Sequence, residues 1–335
     1  MEGVVSLAHG DGGLATRELL REVFLKYLDD PALRRLEDSA RVDFPGPCLV
    51  LTTDAFVVSP LFFPGGDIGC LSVYGTVNDL CCLGADPLFL TASFVLEEGL
   101  RLADLERIVA SMAQATRRVG VRLVAGDTKV VPRGMADGLY VTTSGVGHIP
   151  PGTDLRPERI SPGDRILVSG TIGDHGVAVL AARHRLLEGE ATLASDCGPV
   201  HRLAGAARRF APGLKVMRDP TRGGLATVLK ELAEAGRCDL LVEEEALPTD
   251  PAAAAVAELL GLDLLYLASE GKLVAVAAPE AADAILQAWR QLPEGQRASC
   301  VGEVREGSGR VLLKTALGGT RELHLVTGEP LPRIC

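Results

Sequence analysis

Seven carboxylates stand beside glycines or small polar residues, at positions spread along the whole 335-residue chain. They are Asp11, Asp54, Asp67, Asp79, Asp127, Asp219 and Glu270. Glycine lets a backbone approach phosphate oxygens and offer N–H donors, while carboxylates hold the Mg²⁺ that neutralises those oxygens. The set therefore favours magnesium and nucleotide chemistry, although any single Asp–Gly pair is also an ordinary turn or helix cap.

Three familiar motifs are absent from the sequence: the Walker P-loop G-x-x-x-x-G-K-[ST], the dinucleotide-binding G-x-G-x-x-G and the zinc motif H-E-x-x-H. The eight cysteines form no C-x-x-C pair and no zinc-ligand spacing, which argues against a metal knuckle or a redox pair. A nucleotide site in this chain would instead use the scattered carboxylates and glycines.

Two further side chains could bind phosphate or move a proton. Lys129, one of only six lysines, stands in GDTKVV and could bind phosphate or transfer a proton; a surface lysine at a strand end is the alternative. Glu270 lies between apolar stretches in YLASEGKLVAV, where partial burial would raise its pKa towards that of a useful base. A simple turn glutamate is the alternative there.

The chain ends in GEPLPRIC, and its last residue is Cys335. Pro330 and Pro332 favour an extended tail, in which residues 328–335 would span on the order of 20 Å and could carry a thiol between pockets. Arg333 should favour ionisation of this thiol, and the adjacent terminal carboxylate should oppose it. A frayed tail with an incidental cysteine is the alternative.

Length and composition indicate a two-domain globular protein, because 335 residues at roughly 100–200 per domain allow two cores. A net charge of −10 argues against a nucleic acid partner. No apolar run reaches the roughly 20 residues that cross a bilayer, and the N-terminus lacks the pattern of a signal peptide. We therefore expect no membrane association and a cytoplasmic protein.

The hydrophobic pattern predicts strands and helices in both halves, typical of a two-domain α+β enzyme. Strands are predicted at 47–59, 88–96, 122–125, 139–148 and 165–169, and near 214–217, 239–243, 264–268, 272–277, 299–304 and 310–314. Helices are predicted within 67–83, at 102–119, and near 175–188, 199–210, 223–236, 251–261 and 280–292. The Pro- and Gly-rich stretch 149–164 predicts a boundary between a first domain (1–150) and a second (151–325), followed by a mobile tail (326–335).

Several motifs together resemble the HypE family of hydrogenase maturation factors, over essentially the whole chain. GDTKVV and DPTRGG are shared with a wider group that includes aminoimidazole ribonucleotide (AIR) synthetase and selenophosphate synthetase, so they imply only its fold and its use of ATP. FFPGGDIG, EEGL, SGTIGDHG and the ending PRIC make the resemblance to the HypE family much more specific.

The resemblance implies an AIR synthetase-like (PurM-like) α+β fold, with a β-rich N-terminal domain that forms a homodimer, a C-terminal α+β domain and ATP between them. It also implies that a carbamoyltransferase, HypF, loads a carbamoyl group onto the thiol of Cys335. The tail would then enter its own ATP site, where the thiocarboxamide is dehydrated to a thiocyanate. The cyano group would pass to a HypC–HypD iron scaffold, as a ligand for [NiFe]-hydrogenase.

The resemblance further implies roles for individual residues. Cys335 would carry the substrate, Glu270 would be the base, and Lys129 would stabilise phosphate or relay protons. Mg²⁺ would be held by Asp54, Asp79, Asp127 and Asp219. ATP would be bound by Gly10, Asp11, Gly12, Gly13, Gly66, Asp67, Gly69, Asn78, Asp79, Asp127, Thr128, Lys129, Arg222, Gly223 and Gly224.

Two other functions remain open from the sequence. The same fold could serve a small-molecule ATP enzyme, such as a selenophosphate synthetase or a thiamine-phosphate kinase, although the segment HGDGG lacks the Cys and Lys typical of the former. A non-catalytic scaffold, whose tail docks a partner, is the third hypothesis, and such a protein would bind no MgATP.

Overall fold

The structure, a computed structural model, describes residues 3–10, 14–31, 34, 44–46, 48–186, 193–325 and 333–335. Three predicted ATP-binding residues, Asp11, Gly12 and Gly13, lie outside the described residues, as do both prolines of the predicted tail. No helix within the described ranges is long and apolar enough to span a bilayer.

The first half of the chain builds a four-stranded sheet with helices packed on one face. The four strands of this sheet are β1 (Leu49–Phe56), β4 (Asp86–Glu97), β5 (Arg122–Val131) and β6 (Leu139–His148), while β2 (Phe62–Phe63) and β3 (Gly66–Asp67) pair separately with each other. Its helices are α1 (Leu14–Leu19), which continues through a π-helical turn into α2 (Leu25–Tyr27), α3 (Ile68–Cys82) and α4 (Leu102–Val119). The sheet order is β1-β6-β4-β5, and β4–β5 is its one parallel pair.

Helix α3 is buried on nearly all sides, between the sheet, α4 and the second half of the chain. It begins after Asp67, whose carboxylate accepts hydrogen bonds from the backbone N–H groups of Gly69 (2.8 Å) and Cys70 (3.1 Å). A Cβ on Gly69 would lie 2.2 Å from the carbonyl oxygen of Ile108, so glycine allows α3 to approach α4 this closely. The tightly packed helix then presents Asp79 on its last turn.

The second half builds a seven-stranded sheet with helices packed against it. Its strands are β7 (Arg165–Val168), β8 (Leu214–Arg218), β9 (Cys238–Glu243), β10 (Val274–Ala277), β11 (Ser299–Glu306), β12 (Val311–Lys314) and β13 (Thr320–Leu323). Its helices are α5 (Asp174–Arg183), α6 (His201–Arg208), α7 (Gly224–Gly236), α8 (Pro251–Leu260) and α9 (Pro279–Arg290). The order is β13-β12-β9-β11-β7-β10-β8, with β12–β9 parallel and the other pairs antiparallel. The largest apolar core is continuous between the two halves.

The four-stranded sheet leaves apolar side chains in solvent on the face opposite α3. On β1, Leu49 and Leu51 are 52% and 66% exposed, whereas Val50 and Phe56 are buried. The alternation follows from the pleat of a strand, which points successive side chains to opposite faces. Strands β1 and β5 form the two edges of this sheet within the described part of the chain.

The most accurate predictions came from the segments with the strongest periodic patterns. The helix at 102–119 and the strand at 139–148 are confirmed to the residue by α4 and β6. The strand predicted at 122–125 continues to Val131, because β5 keeps its pairing with β4 that far. The domain boundary in 149–164 stays a prediction.

The strand predicted near 264–268 is wrong. Leu264–Tyr266 form a 3₁₀ turn, and the carboxylate of Asp263 accepts a hydrogen bond from the backbone N–H of Leu265 (3.0 Å). The short apolar run suggested a strand, but the cap at Asp263 supplies the backbone with a local partner instead of a strand neighbour.

Candidate active site around Cys335

Six of the predicted site residues surround one cavity of about 50 Å³ between the two halves of the chain. They are Asp54, Asp79, Asp219, Arg222, Glu270 and Cys335. Strand β1 carries Asp54, and the last turn of α3 carries Asp79. In the second half, Asp219 follows β8, Arg222 precedes α7 and Glu270 precedes β10. The fold therefore brings together acids that are far apart in the sequence.

The three aspartates of this cavity are crowded and partly removed from water. Burial, and then the neighbouring charge of Asp79, raise the pKa of Asp54 to about 6 and that of Asp219 to about 7. The Thr76 hydroxyl donates a hydrogen bond to Asp54 (3.2 Å). The Thr52 hydroxyl donates one to Asp79 (2.8 Å). The cluster thus resists full ionisation unless a cation joins it.

These carboxylates suit a Mg²⁺ ion that is shared with phosphates. Among the described residues, no three or more His, Cys, Asp and Glu side chains are grouped so that they could hold a metal ion. Mg²⁺ usually takes one or two carboxylates together with phosphate oxygens and water. A divalent cation would also offset the repulsion that raises the pKa values of Asp54 and Asp219. The side chains therefore fit a metal that arrives with a nucleotide.

A second cavity, of about 260 Å³, shares Asp79 and Asp219 with the first. Many of its other lining residues are apolar, among them Val50, Leu155 and Met217. A nucleotide has a flat, weakly polar base at one end and phosphates at the other. A partly apolar cavity that leads to the aspartates suits such a ligand.

Glu270 is deeply buried beside the end of the chain, with 2% of its surface exposed. Burial, and then the charges of Asp219 and Asp196, raise the pKa of Glu270 well above its usual value, in the direction that the sequence predicted. Its carboxyl group lines the same cavity as the thiol of Cys335, and its Oε1 atom has no hydrogen-bond partner within the described structure. Since an unpartnered buried acceptor is costly, this oxygen is suited to receive a donor from a substrate.

The backbone of Glu270 is fixed by residues from two other segments. Asp196 accepts hydrogen bonds from the backbone N–H groups of Glu270 (3.1 Å) and Gly271 (3.2 Å). Its carboxylate also pairs with Lys272 at 3.2 Å. The side-chain amide of Asn78 donates to the carbonyl oxygen of Glu270 (3.1 Å). Asn78 therefore has a positioning contact, and its binding of ATP stays a prediction.

Burial also controls the thiol of Cys335. Burial, and then the charge of Glu270, raise the pKa of this thiol well above its usual value, while Arg222 opposes the rise. The Arg333 guanidinium pairs with Asp137, so the expectation that Arg333 would favour the thiolate stays a prediction. The seated Cys335 is therefore a neutral thiol, a poor nucleophile in this position.

The residues next to Cys335 are held through their backbone. The carbonyl oxygen of Arg333 accepts hydrogen bonds from the backbone N–H of Ser59 (3.1 Å) and from Nη2 of Arg183 (2.7 Å). The carbonyl oxygen of Ile334 lies 2.9 Å from Nε2 of His175, and the Ile334 side chain is 4% exposed. The end of the chain thus occupies a defined position between the two halves.

The predicted ATP-binding residues at the start of α3 do not line this cavity. Gly66 lies in β3, Asp67 caps the helix, and Gly69 packs against α4. The helix start instead faces the loop before α6, where the thiols of Cys70 and Cys197 are 3.9 Å apart. Of the starts of α3 and α7, the start of α7 contributes lining residues to the cavity, Thr221 and Arg222.

The turn before α7 brings Arg222 to the cavity and needs two glycines to do so. Gly223 and Gly224 have φ angles of 78° and 62°, in the left-handed region that favours glycine. A Cβ on Gly224 would lie 2.6 Å from the carbonyl oxygen of Leu265. These glycines shape the turn, and their contacts with ATP stay predictions.

The remaining predicted residues form a second group, at the β5 edge of the four-stranded sheet. Asp127 and Lys129 are exposed on β5, and Asp127 and Thr128 line a different cavity of about 70 Å³. Gly10 ends a 3₁₀ turn (Leu7–Gly10) that packs against the same strand. None of these four residues lines the cavity at Cys335 in the described chain. The four predicted Mg²⁺ ligands are therefore not all brought together, because Asp127 lies apart.

Sequence reasoning missed the residues that fix the site from behind. His175 and Arg183 hold the end of the chain, and Asp196 holds the backbone of Glu270. Ser195 in turn is hydrogen-bonded to His175. A signal was present for His175, which stands in SGTIGDHG, a motif that carried the resemblance. The others occupy a helix end and a loop, where residue type alone gives no indication of a distant partner.

Comparison with known proteins gives matches over both halves of the chain. Residues 36–149 match the family model described as AIR synthase related protein, N-terminal domain, and residues 161–314 match AIR synthase related protein, C-terminal domain. The Carbamoyl dehydratase HypE of Cupriavidus necator is 50% identical over 335 residues, which cover 99% of this chain and 95% of the relative.

Two solved structures are also similar. The crystal structure of hydrogenase maturation protein HypE in complex with ATP has a TM-score of 0.94 at 44% identity, over 98% of this chain and 99% of that one. HypE in the crystal structure of a HypE–HypF complex has a TM-score of 0.81 at 42% identity, over 92% of this chain and 99% of that one.

Proposed function

The chain belongs to the HypE family of carbamoyl dehydratases, within the AIR synthase-related proteins, and we propose that it converts a carbamoyl group on Cys335 into a cyano group. Family membership confirms the predicted α+β fold of the AIR synthase-related type and an ATP-dependent dehydratase of hydrogenase maturation. The product would supply cyanide ligands for the iron of [NiFe]-hydrogenase.

One observation carries the proposal: the thiol at the end of the chain lines the same small cavity as a buried acid, which has one oxygen without a partner within the described structure. A carbamoyl group on the Cys335 sulfur would carry N–H donors at the place where Oε1 of Glu270 lacks one. This pairing favours the dehydratase over an enzyme with a free small-molecule acceptor, because the end of the chain occupies the position beside the base.

The reaction removes oxygen as phosphate and two protons from nitrogen. ATP transfers its γ-phosphoryl group to the oxygen of the thiocarboxamide, which releases ADP and a first proton from nitrogen. Phosphate then leaves the carbon while nitrogen loses its second proton, and the C≡N bond forms. Glu270 accepts an N–H proton, since its raised pKa makes its carboxylate a stronger base. Lys129 would stabilise phosphate or relay a proton.

Positioning and charge neutralisation account for most of the catalysis of phosphoryl transfer. In our proposal Asp54, Asp79 and Asp219 hold Mg²⁺ together with the phosphates, and Asp127 contributes from the second group. Mg²⁺, when bound, would neutralise the charge that develops on the transferring phosphoryl group. The predicted glycines and Arg222 would contact ATP, with the base directed to the partly apolar cavity beside Asp79.

We also propose that the protein is a homodimer joined through the four-stranded sheet. Exposed sheet edges and exposed leucines such as Leu49 and Leu51 favour association. Pairing of β5 from a second copy with β1 would bring Asp127 and Lys129 alongside the strand that carries Asp54. A dimer of this kind would unite the two groups of predicted site residues.

The proposed partners are the proteins that would load the carbamoyl group and accept the cyano group. A carbamoyltransferase of the HypF type would load Cys335, in keeping with the HypE–HypF complex solved for a relative. A HypC–HypD scaffold that bears the iron would accept the cyano group. We place these steps in the cytoplasm, where MgATP is available.

Stepwise mass spectrometry of the Cys335 peptide tests the proposal. Incubation with the carbamoyl donor system should add the mass of one carbamoyl group, and MgATP should then remove the mass of one water. Cys335→Ala should lose both changes, whereas Cys48→Ala, at an exposed cysteine, should keep both. Absence of any adduct that depends on Cys335 would overturn the proposal.

A further inference from the structure

His175 lies at the start of α5 and is completely buried, with 0% of its surface exposed. Its Nε2 atom lies 2.9 Å from the carbonyl oxygen of Ile334, and its Nδ1 atom lies 2.7 Å from the hydroxyl oxygen of Ser195. The ring also packs edge-on against Phe63, at 5.3 Å between ring centres. The imidazole therefore links the second half of the chain directly to its C-terminal end.

The hydrogen-bond partners define which nitrogen of His175 carries the proton. A carbonyl oxygen can only accept, so Nε2 must be the donor to Ile334. Burial lowers the pKa of His175, which favours the neutral ring, and Nδ1 then accepts a hydrogen bond from the Ser195 hydroxyl. The backbone N–H of Cys197 donates to the same hydroxyl oxygen (2.9 Å), which leaves the Ser195 proton directed at His175.

We infer that His175, oriented by Ser195, is the positioning residue that holds the Ile334 peptide and thereby places the sulfur of Cys335 at Glu270. This inference rests on the proposed function. The carbonyl of Ile334 belongs to the peptide group that joins Cys335 to the chain, so its position limits where the sulfur can lie. The ring is hydrogen-bonded to Ser195 and to the backbone of Ile334, so His175 acts on the sulfur through the backbone.

A covalently carried substrate makes such a contact useful. Cys335 must be reached by the loading enzyme and must then return to Glu270. The binding of the chain end beside Glu270 therefore has to be specific and reversible. Hydrogen bonds to two successive carbonyl oxygens, from Arg183 to Arg333 and from His175 to Ile334, meet both needs without covalent change. Loss of the His175 contact should therefore slow dehydration but leave loading by the carbamoyltransferase intact.

The rate at which the Cys335 thiol is alkylated measures how firmly the end of the chain is held in the site. The full-length protein is treated with iodoacetamide in the presence of MgATP, and labelling of Cys335 is followed by peptide mass spectrometry against the exposed Cys48 as internal reference. His175→Asn removes the donor at the Nε2 position and should raise the relative alkylation rate by on the order of tenfold. Ser195→Ala should raise it as well, since the ring loses the donor that fixes its tautomer.

Two variants serve as matched controls. His175→Gln places an amide N–H close to the position of Nε2 and should return alkylation and dehydration towards the wild-type rates. His184→Asn changes an exposed histidine just after the same helix and should leave both rates unchanged. In His175→Asn the carbamoyl adduct should form normally on Cys335, while its ATP-dependent dehydration slows by a factor similar to the rise in alkylation.

The outcomes separate the inference from the proposed function. Faster alkylation and slower dehydration in His175→Asn, with recovery in His175→Gln, support the inference. Wild-type alkylation in His175→Asn overturns it, and if that variant does not fold, wild-type alkylation in Ser195→Ala overturns it instead. If the wild-type protein shows no dehydration at all, the proposed function fails, whereas the alkylation rates still report on the seat of Cys335.

Discussion

The thiol of Cys335, the last residue of the chain, lines the same small cavity as the buried carboxyl group of Glu270. The two residues are 65 positions apart in the sequence, and the charge of Glu270 raises the pKa of the thiol. Asp196 and Asn78 hold the backbone of Glu270. The carrier and the proposed base therefore meet at a site that the rest of the fold keeps in place.

Replacement of Glu270 by Gln should separate loading from dehydration. The variant keeps the size of the side chain but cannot accept a proton, so the dehydration rate should fall by about 10²–10⁴-fold. Carbamoylation of Cys335 should continue, because in our proposal the loading enzyme would meet the thiol away from this site. Time-resolved mass spectrometry of the Cys335 peptide measures both steps, and Glu258→Gln on α8 is the control. A wild-type dehydration rate in Glu270→Gln would show that another group is the base.

The raised pKa of Asp219 predicts how stability depends on pH in the metal-free protein. Asp219 ionises near 3.8 when unfolded and at about 7 when folded, so the folded state binds more protons between these values. The free energy of unfolding should therefore fall as pH rises from about 4 through 7. Asp219→Asn removes this loss and should be more stable than the wild type above pH 7, by on the order of 1–4 kcal/mol.

Chemical denaturation at pH 4 and at pH 8 checks this difference, which should disappear at the lower pH. The exposed Asp283→Asn on α9 is the matched control and should show no such dependence. Added MgATP should protect the wild type more than Asp219→Asn, since the variant lacks one proposed ligand. Lower stability of Asp219→Asn at pH 8 would contradict the cost assigned to the buried charge.

The sequence predicted the acidic residues of the cavity better than the residues that hold them in place. Asp54, Asp219 and Glu270 could be recognised because carboxylates beside apolar or glycine-rich segments suggest buried acids. Their partners could not, because hydrogen bonds such as that from Glu270 to Asp196 join segments whose proximity depends on the whole tertiary fold. Residue type and spacing carry no information on such contacts.

A second limit of prediction from sequence is that glycines and helix caps can be mistaken for an anion-binding site. Asp67 and Gly69 matched a phosphate-binding pattern, yet in the structure they cap α3 and let it pack on α4. Local patterns for a helix start and for an anion site are nearly the same, because both depend on free backbone N–H groups. Only the positions of the neighbouring elements distinguish them, and Asp127 likewise lies on a strand edge instead of beside Asp79.

Replacement of Gly69 by Ala tests whether this glycine serves packing. The new Cβ would lie 2.2 Å from the carbonyl oxygen of Ile108, so α3 and α4 must separate, and we expect a loss of about 1–3 kcal/mol in the free energy of unfolding. Gly205→Ala on α6, where a Cβ meets nothing within 4 Å, should be neutral or slightly stabilising. Weaker ATP binding by calorimetry at unchanged stability of Gly69→Ala would favour a direct role in binding instead.

Leu51, an exposed leucine near the start of β1, provides a test of the proposed dimer. Leu51 is 66% exposed, and in a dimer built on this sheet it would be buried, so Leu51→Asp would place a charge in an apolar interface. We expect light scattering after size-exclusion chromatography to show a monomer for this variant. Leu259→Asp, at a 75% exposed leucine on α8, should elute like the wild type.

The monomeric Leu51→Asp variant should also dehydrate the carbamoyl group poorly, because Asp127 and Lys129 of a second copy would no longer lie beside Asp54. A dimeric Leu51→Asp protein would place the interface elsewhere, and a fully active monomer would show that one chain supplies every residue of the reaction.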